Sequence, residues 1–158
     1  PDLHPQMMAP AITDRLLEAL QEGVYDFILV NYANPDTIAH SGNYGAAQDA
    51  IRTIDVELER IVKAVSESSA ILVITSDHGN IEEMLNPKTG RQETQHDPNP
   101  VPIYLVGKEF EGKRFLGAMD IRRETAGILS DVAPTVLELM GLSKPKEMTG
   151  SSLLRNLG

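Results

Sequence analysis

Two apolar segments flanking one long amphipathic stretch constrain this chain more than any other feature. Residues 24–31 (VYDFILVN) and 70–75 (AILVIT) are rich in β-branched and aromatic side chains, the composition of buried strands. Between them Ala47, Ile51, Ile54, Leu58, Ile61 and Val65 step by three and four, which predicts a helix over 46–65 with its charged face (Gln48, Asp49, Arg52, Asp55, Glu59, Lys63) in water. Strand, helix, strand in that order implies a right-handed crossover and a parallel sheet. A third strand is predicted over 101–106, a helix over 11–22 on Ile12, Leu16, Leu17 and Leu20 with Gly23 as its C-cap, and a helix over 131–140 with an Asp cap, an early Pro and Gly141 at its end. Asn80 with Glu83 three residues on resembles a capping box for a short helix through Leu85. Residues 86–100 hold no aliphatic or aromatic side chain and read as a long loop, and 108–127 as a polar hairpin or excursion. The fold class is α/β, a mainly parallel sheet flanked by helices.

Composition removes several function classes. The 158 residues suit one domain with a real core, and 41% hydrophobic with 23% charged residues is ordinary for a globular chain. Without cysteine there is no disulfide scaffold, thiolate metal site or cysteine nucleophile. A formal charge of −9 opposes phosphate backbones, so nucleic acid is not an expected partner. No apolar run reaches the ~20 residues that cross a bilayer, so no membrane partner is expected. The opening Pro-Asp-Leu-His does not read as a signal peptide and lacks an initiator Met, so the chain is expected to be processed or part of something longer.

In open α/β sheets ligands bind outside the carboxyl ends of the strands, and the unusual polar chemistry gathers there. Asn34-Pro35-Asp36-Thr37-Ile38-Ala39-His40 follows the first strand, Ser76-Asp77-His78-Gly79-Asn80 the second, and Gln95-His96-Asp97 precedes the third. Three of the four histidines thus fall near an Asp in strand-end loops. Imidazole and carboxylate together hold divalent ions such as Mn²⁺ or Zn²⁺. Asp36 and His40 share one side if their loop makes a helical turn. Asp77 and His78, being adjacent, reach one ion only from a tight turn, which Gly79 permits. A metal bond is expected to hold the long loop that carries His96. A single Asp–His pair is more often a plain loop contact, His4 is incidental, Asp97 before Pro98 reads as a turn residue, and Ser76-Asp77-His78 are too close in sequence to form a catalytic triad. The weight of the metal reading lies in three separate loops each supplying Asp or His.

Residues 31–42 (NYANPDTIAHSG), 75–80 (TSDHGN), His96 with 99–102 (NPVP), and 130–135 (SDVAPT) strongly resemble cofactor-independent phosphoglycerate mutase, of the alkaline phosphatase superfamily. The motifs keep the family's order from about Pro1 to Leu154, and residues 1–10 resemble the point where that family's chain re-enters its phosphatase-like domain. The resemblance implies that residues 1–158 are the C-terminal portion of the metal-binding phosphatase-like domain, an incomplete alkaline-phosphatase-like fold. It implies a cytoplasmic glycolytic enzyme interconverting 3- and 2-phosphoglycerate through a phosphoserine. It implies two Mn²⁺ ions in the full enzyme, with other divalent metals in some members. Asp36, His40 and His96 match the ligands of one metal, and Asp77 and His78 match two ligands of the second. That second metal's remaining Asp and the nucleophilic Ser have no counterpart here, so this chain holds at most one complete site and no catalytic nucleophile. The chain alone is expected to be inactive, and to self-associate through a sheet edge that missing strands would cover.

The alternatives are phosphopentomutase or another alkaline-phosphatase-superfamily phosphotransferase, and a non-catalytic metal-binding module. Phosphopentomutase would follow its late His with Arg-Glu, whereas Asp97-Pro98-Asn99-Pro100 stands here.

Overall fold

Pro10 opens and Gly23 closes the first helix of the computed structural model, which describes residues 2–86, 88–113 and 125–157. Helix α1 (Ala9–Glu22) carries the proline in its first turn, where no amide hydrogen is needed. Gly23 takes φ 63°, the left-handed conformation that glycine adopts without strain, and donates its N–H to Ala19 O. Two further helices follow, α2 (Asn34–Ala39) with Pro35 in its first turn and α3 (Tyr44–Ser66). The Asn43 side chain caps α3 by accepting from the Ala46 amide, 3.1 Å away. The chain divides into two units, Pro1–Ala70 with His78–Asn99, and Ile71–Asp77 with Pro100–Gly158.

In the first unit a small core forms where Ile38 and Ala39 of α2 meet Ala46, Ala47 and Ala50 of α3, with Met84 beside them. Alanines at this seam let the two helices approach closely. The opening of α3 is therefore more buried than its later apolar residues suggest, and Ile51, expected to face inward, is 44% exposed. The seam between α1 and α3 is polar. Fully buried Thr13 donates to Ala9 O and pairs with the Tyr32 hydroxyl at 2.6 Å. Buried Glu57 accepts from Arg60 at 2.7 Å, and Arg60 also reaches Asp14 on α1. The leucines of α1 are only half-buried, since Ala9, Thr13 and Ala19 take the innermost positions.

Residues 24–31 depart from the expected buried strand. They join no ladder among the described residues, and Val24, Tyr25, Phe27 and Leu29 are exposed. The second unit carries β1 (Leu72–Thr75) and β2 (Ile103–Val106), paired antiparallel with Leu72 opposite Val106 and Thr75 opposite Ile103. The strands expected over 70–75 and 101–106 thus form, but the ladder described is antiparallel rather than parallel. A strand shows its apolar composition in sequence, whereas its neighbour and direction depend on whichever edge is available to pair. The hairpin or excursion expected over 108–127 falls mostly on 114–124, outside the described residues; Lys108–Phe110 makes one 3₁₀ turn.

Helix α4 (Val132–Leu139) begins after Asp131, as its sequence predicts, but the aspartate works differently from a side-chain cap. One carboxylate oxygen accepts from the Ile128 amide and the other from the Ser151 amide, 20 residues away. Those two bonds hold the Asp131 carboxyl below its ordinary range, with burial a weaker opposing influence. A carboxyl depressed in the folded state stabilises at pH values above its unfolded pKa and loses that contribution as pH falls through the folded value. Thermal melts of the wild type and Asp131→Asn should accordingly differ most at neutral pH and converge on acidification below about pH 4. A constant gap across that range would mean that the carboxylate charge is not what holds the tail.

Candidate metal centre

The first unit brings together three of the expected ligands. Helix α2 supplies Asp36, and the residue after it supplies His40, whose amide donates to Asp36 O at 3.1 Å. That helical turn puts the two side chains on one side, as their four-residue spacing predicts. His96 arrives from the loop after residue 86. Its Nε2 lies 3.1 Å from Asp36 Oδ1 and 3.2 Å from His40 Nε2, and His40 Nε2 lies 3.2 Å from the same Asp36 oxygen. Asp36 is half-buried and both histidines are exposed, so the cluster is open to solvent on one side.

The hydrogen bonding sets the tautomer of His40. His40 Nδ1 sits 2.7 Å from Thr94 O, a carbonyl that can only accept. The ring hydrogen of a neutral His40 therefore lies on Nδ1, which leaves the Nε2 lone pair facing His96 and Asp36. With a ring hydrogen on His96 Nε2 the three atoms form a hydrogen-bonded cluster, and with both Nε2 lone pairs turned inward they form a donor set that a cation would hold together. One oxygen and two nitrogen donors with an open side suit a divalent transition ion, and these residues fit the metal that their chemistry implies. Burial pushes the Asp36 carboxyl up, but the Asn80 amide and the surrounding imidazoles outweigh it and hold the group below its usual range.

Backbone and polar side-chain bonds tie down the loop that carries His96. Leu85 bridges Gln92, Glu93 N donates to Met84 O at 2.8 Å, and the Gln92 amide donates to Gly42 O at 3.0 Å. Asp97 N donates to Gly79 O at 2.9 Å, and the Asp97 carboxylate accepts from Asn99 N, which makes Asp97 the turn residue expected. A metal bond at His96 would add to these contacts. Polar side chains and backbone bonds stand in for the absent hydrophobic anchor.

His78 stacks on His96 with ring centroids 3.7 Å apart and planes 20° from parallel, so it borders the cluster without joining the three convergent ligand atoms. Asp77 belongs to the second unit, after β1, and is exposed. Sequence reasoning missed Asn80 and Thr94. Asn80 makes no capping bond; its Nδ2 donates instead to Asp36 Oδ1 at 2.8 Å, and Glu82 rather than Glu83 reaches back to the Asn80 amide. The only trace in the sequence is that a polar side chain follows Asp-His-Gly.

A metal-binding α/β chain is what this fold and cluster define, and the comparison with known proteins agrees: the chain belongs to the Metalloenzyme superfamily, which it matches over residues 1–144. Among curated relatives it is 45% identical over 157 residues to the 2,3-bisphosphoglycerate-independent phosphoglycerate mutase of Chloroflexus aggregans, covering 99% of this chain and 28% of that protein. It is 48% identical over 153 residues to the enzyme of the same name from Cereibacter sphaeroides, covering 97% of this chain and 28% of that one. The chain thus spans little more than a quarter of the length of these relatives. In fold it is similar to Leishmania mexicana phosphoglycerate mutase, in a crystal structure at low cobalt concentration, with a TM-score of 0.80 at 24% identity over 99% of this chain and 29% of that one. The incomplete α/β fold expected of an alkaline-phosphatase-like domain is therefore the one found.

Proposed function

We propose that residues 1–158 are the C-terminal, metal-holding portion of the phosphatase-like domain of a cofactor-independent phosphoglycerate mutase. The observation that carries this reading is the convergence of Asp36 Oδ1, His40 Nε2 and His96 Nε2 in a chain at least 44% identical to such mutases over most of its length. The full protein would interconvert 3- and 2-phosphoglycerate in the cytoplasm as a step of glycolysis. Among the described residues no helix is long and apolar enough to cross a membrane.

When bound, a divalent ion supplies positive charge beside the transferring phosphoryl group and the attacking oxygen. Asp36, His40 and His96 would hold that ion, and one carboxylate with two neutral imidazoles leaves it a net positive charge. Mn²⁺ is the ion that the resemblance to these mutases favours, and one carboxylate with two imidazoles suits several divalent transition ions. Asp77 and His78 are assigned to a second ion; the stacking of His78 on His96 keeps it at the edge of the first site. A serine outside these residues would take the phosphoryl group from one glycerate hydroxyl and return it to the other, so that no net hydrolysis occurs. Self-association of the isolated chain is part of the same reading, supported by the exposed apolar side chains of Val24, Tyr25, Phe27 and Leu29.

The purified chain is expected to show no turnover of 3-phosphoglycerate. A chimera in which it replaces the matching segment of the Chloroflexus aggregans enzyme is expected to regain turnover and to lose it in His40→Ala. Turnover by the chain alone that His40→Ala abolishes would contradict the assignment of the nucleophile elsewhere. A folded chimera that loads metal but converts no phosphoglycerate would contradict the mutase reading.

A further inference from the structure

The ligand oxygen of Asp36 is held by a side chain that neither the expected ligand set nor the capping pattern includes. Asn80 is 5% exposed, and its Nδ2 donates at 2.8 Å to Asp36 Oδ1, the same oxygen that faces His40 and His96. At the other end of the amide, Asn80 Oδ1 is buried with no hydrogen-bond partner among the described residues. A buried amide oxygen left unpaired is unfavourable, and an apolar side chain of similar size would avoid it. Core packing therefore does not account for an asparagine here; the donating nitrogen does. Aspartate at this position would set a carboxylate against Asp36, so the amide provides the shape of a carboxylate with a hydrogen to give.

The backbone around Asn80 is fixed in turn. Its N–H donates to Glu82 Oε2 at 2.9 Å, and its carbonyl accepts from Glu83 N at 3.2 Å. One residue earlier, Gly79 pairs with Asp97, the neighbour of His96. A Cβ on Gly79 would fall 2.2 Å from Asp97 Oδ1 and 2.3 Å from Glu82 Oε1, so the turn lies directly beneath both carboxyl groups. A single short turn thus touches both sources of ligands, Asp36 through the Asn80 side chain and the His96 loop through the Gly79 backbone.

We infer that Asn80 is a positioning residue of the metal centre, which fixes the Asp36 carboxylate so that Oδ1 meets the two imidazoles without rearrangement on binding. The inference rests on the metal reading above. Partners that orient a metal ligand are worth roughly 10–100-fold in affinity when removed.

The test is a calorimetric Mn²⁺ titration of the 158-residue chain beside Asn80→Leu, with the visible absorption of the Co²⁺-loaded forms as a report on ligand geometry. Asn80→Leu is expected to weaken Mn²⁺ binding about tenfold or more and to alter the Co²⁺ spectrum, with the metal-free melting temperature measured alongside to show that the variant is folded. Asn80→Val, smaller and equally without a donor, serves if the leucine variant does not fold. Wild-type binding that either folded variant retains within twofold, with an unchanged Co²⁺ spectrum, overturns this inference and leaves the metal reading intact. A folded wild-type chain that binds no Mn²⁺ overturns both. Failure of both variants to fold would make Asn80 a core residue and overturn the inference as well.

Discussion

Replacing His96 by alanine is expected to abolish saturable Mn²⁺ binding in a titration where the wild-type chain shows one site. The three ligand atoms lie within 4.8 Å of one another, close enough to share one ion. Two of them, Asp36 and His40, come from a single helical turn and remain together in the variant. A pair of ligands from one turn is a weak site, and the ligand from the distant loop closes the larger chelate. The expected loss therefore exceeds the roughly 10–100-fold that follows removal of an outer partner of a ligand. Protons compete with the metal for the same imidazole lone pairs, so wild-type binding should weaken steadily on acidification and release protons as it occurs. Equal binding by wild type and His96→Ala would mean that the ion sits elsewhere, and no binding by a folded wild type would remove the metal assignment altogether.

Gly150→Ala is expected to destabilise the second unit through overlap with the main chain. A Cβ at that position would lie 2.0 Å from Ser130 O and 2.6 Å from Ser130 C. Neither atom moves without displacing the entry to α4, where Asp131 holds Ile128 and Ser151. Overpacking of this kind costs about 1–3 kcal/mol, and a chain of this size loses roughly 2–4 °C of melting temperature per kcal/mol. Gly79 offers the contrast. Its Cβ would meet carboxylate oxygens of Asp97 and Glu82, the movable ends of side chains, so the same substitution there should cost less stability. A melting temperature for Gly150→Ala within a degree of wild type would show that the two backbones do not approach this closely in solution.

The parts of the structure legible in the sequence are those set by local spacing. Asp36 and His40 lie four apart and meet because one helical turn brings them together, and α3 follows from its three-and-four periodicity. His96 stands out by its chemistry, the one histidine in the polar stretch 86–100. What was not legible depends on partners distant in the chain. Asn80 and Asp36 are 44 residues apart, and from sequence alone the amide of Asn80 reads as a helix cap because that is the use available nearby. Residues 24–31 have a strand's composition, but composition does not state which edge pairs with them or in which direction. Ala47, Ile61 and Val65 of α3 are buried as expected, whereas the innermost positions of α1 and of the opening of α3 differ for a related reason. Close helix approach favours alanine and threonine over the larger apolar residues that hydrophobic periodicity emphasises.

Thr135 is fully buried and its hydroxyl is used twice, donating to Asp131 O at 2.7 Å and accepting from the Leu153 amide at 2.9 Å. Together with the bond from Ser151 to Asp131, this places two amides of an irregular segment under the control of α4. Neither amide becomes accessible to solvent unless its partner on the helix entry lets go. The segment around Ser151–Leu153, irregular up to the 3₁₀ turn that starts at Leu153, therefore opens together with α4 as one cooperative element, and its dynamics are those of a helix rather than of a tail.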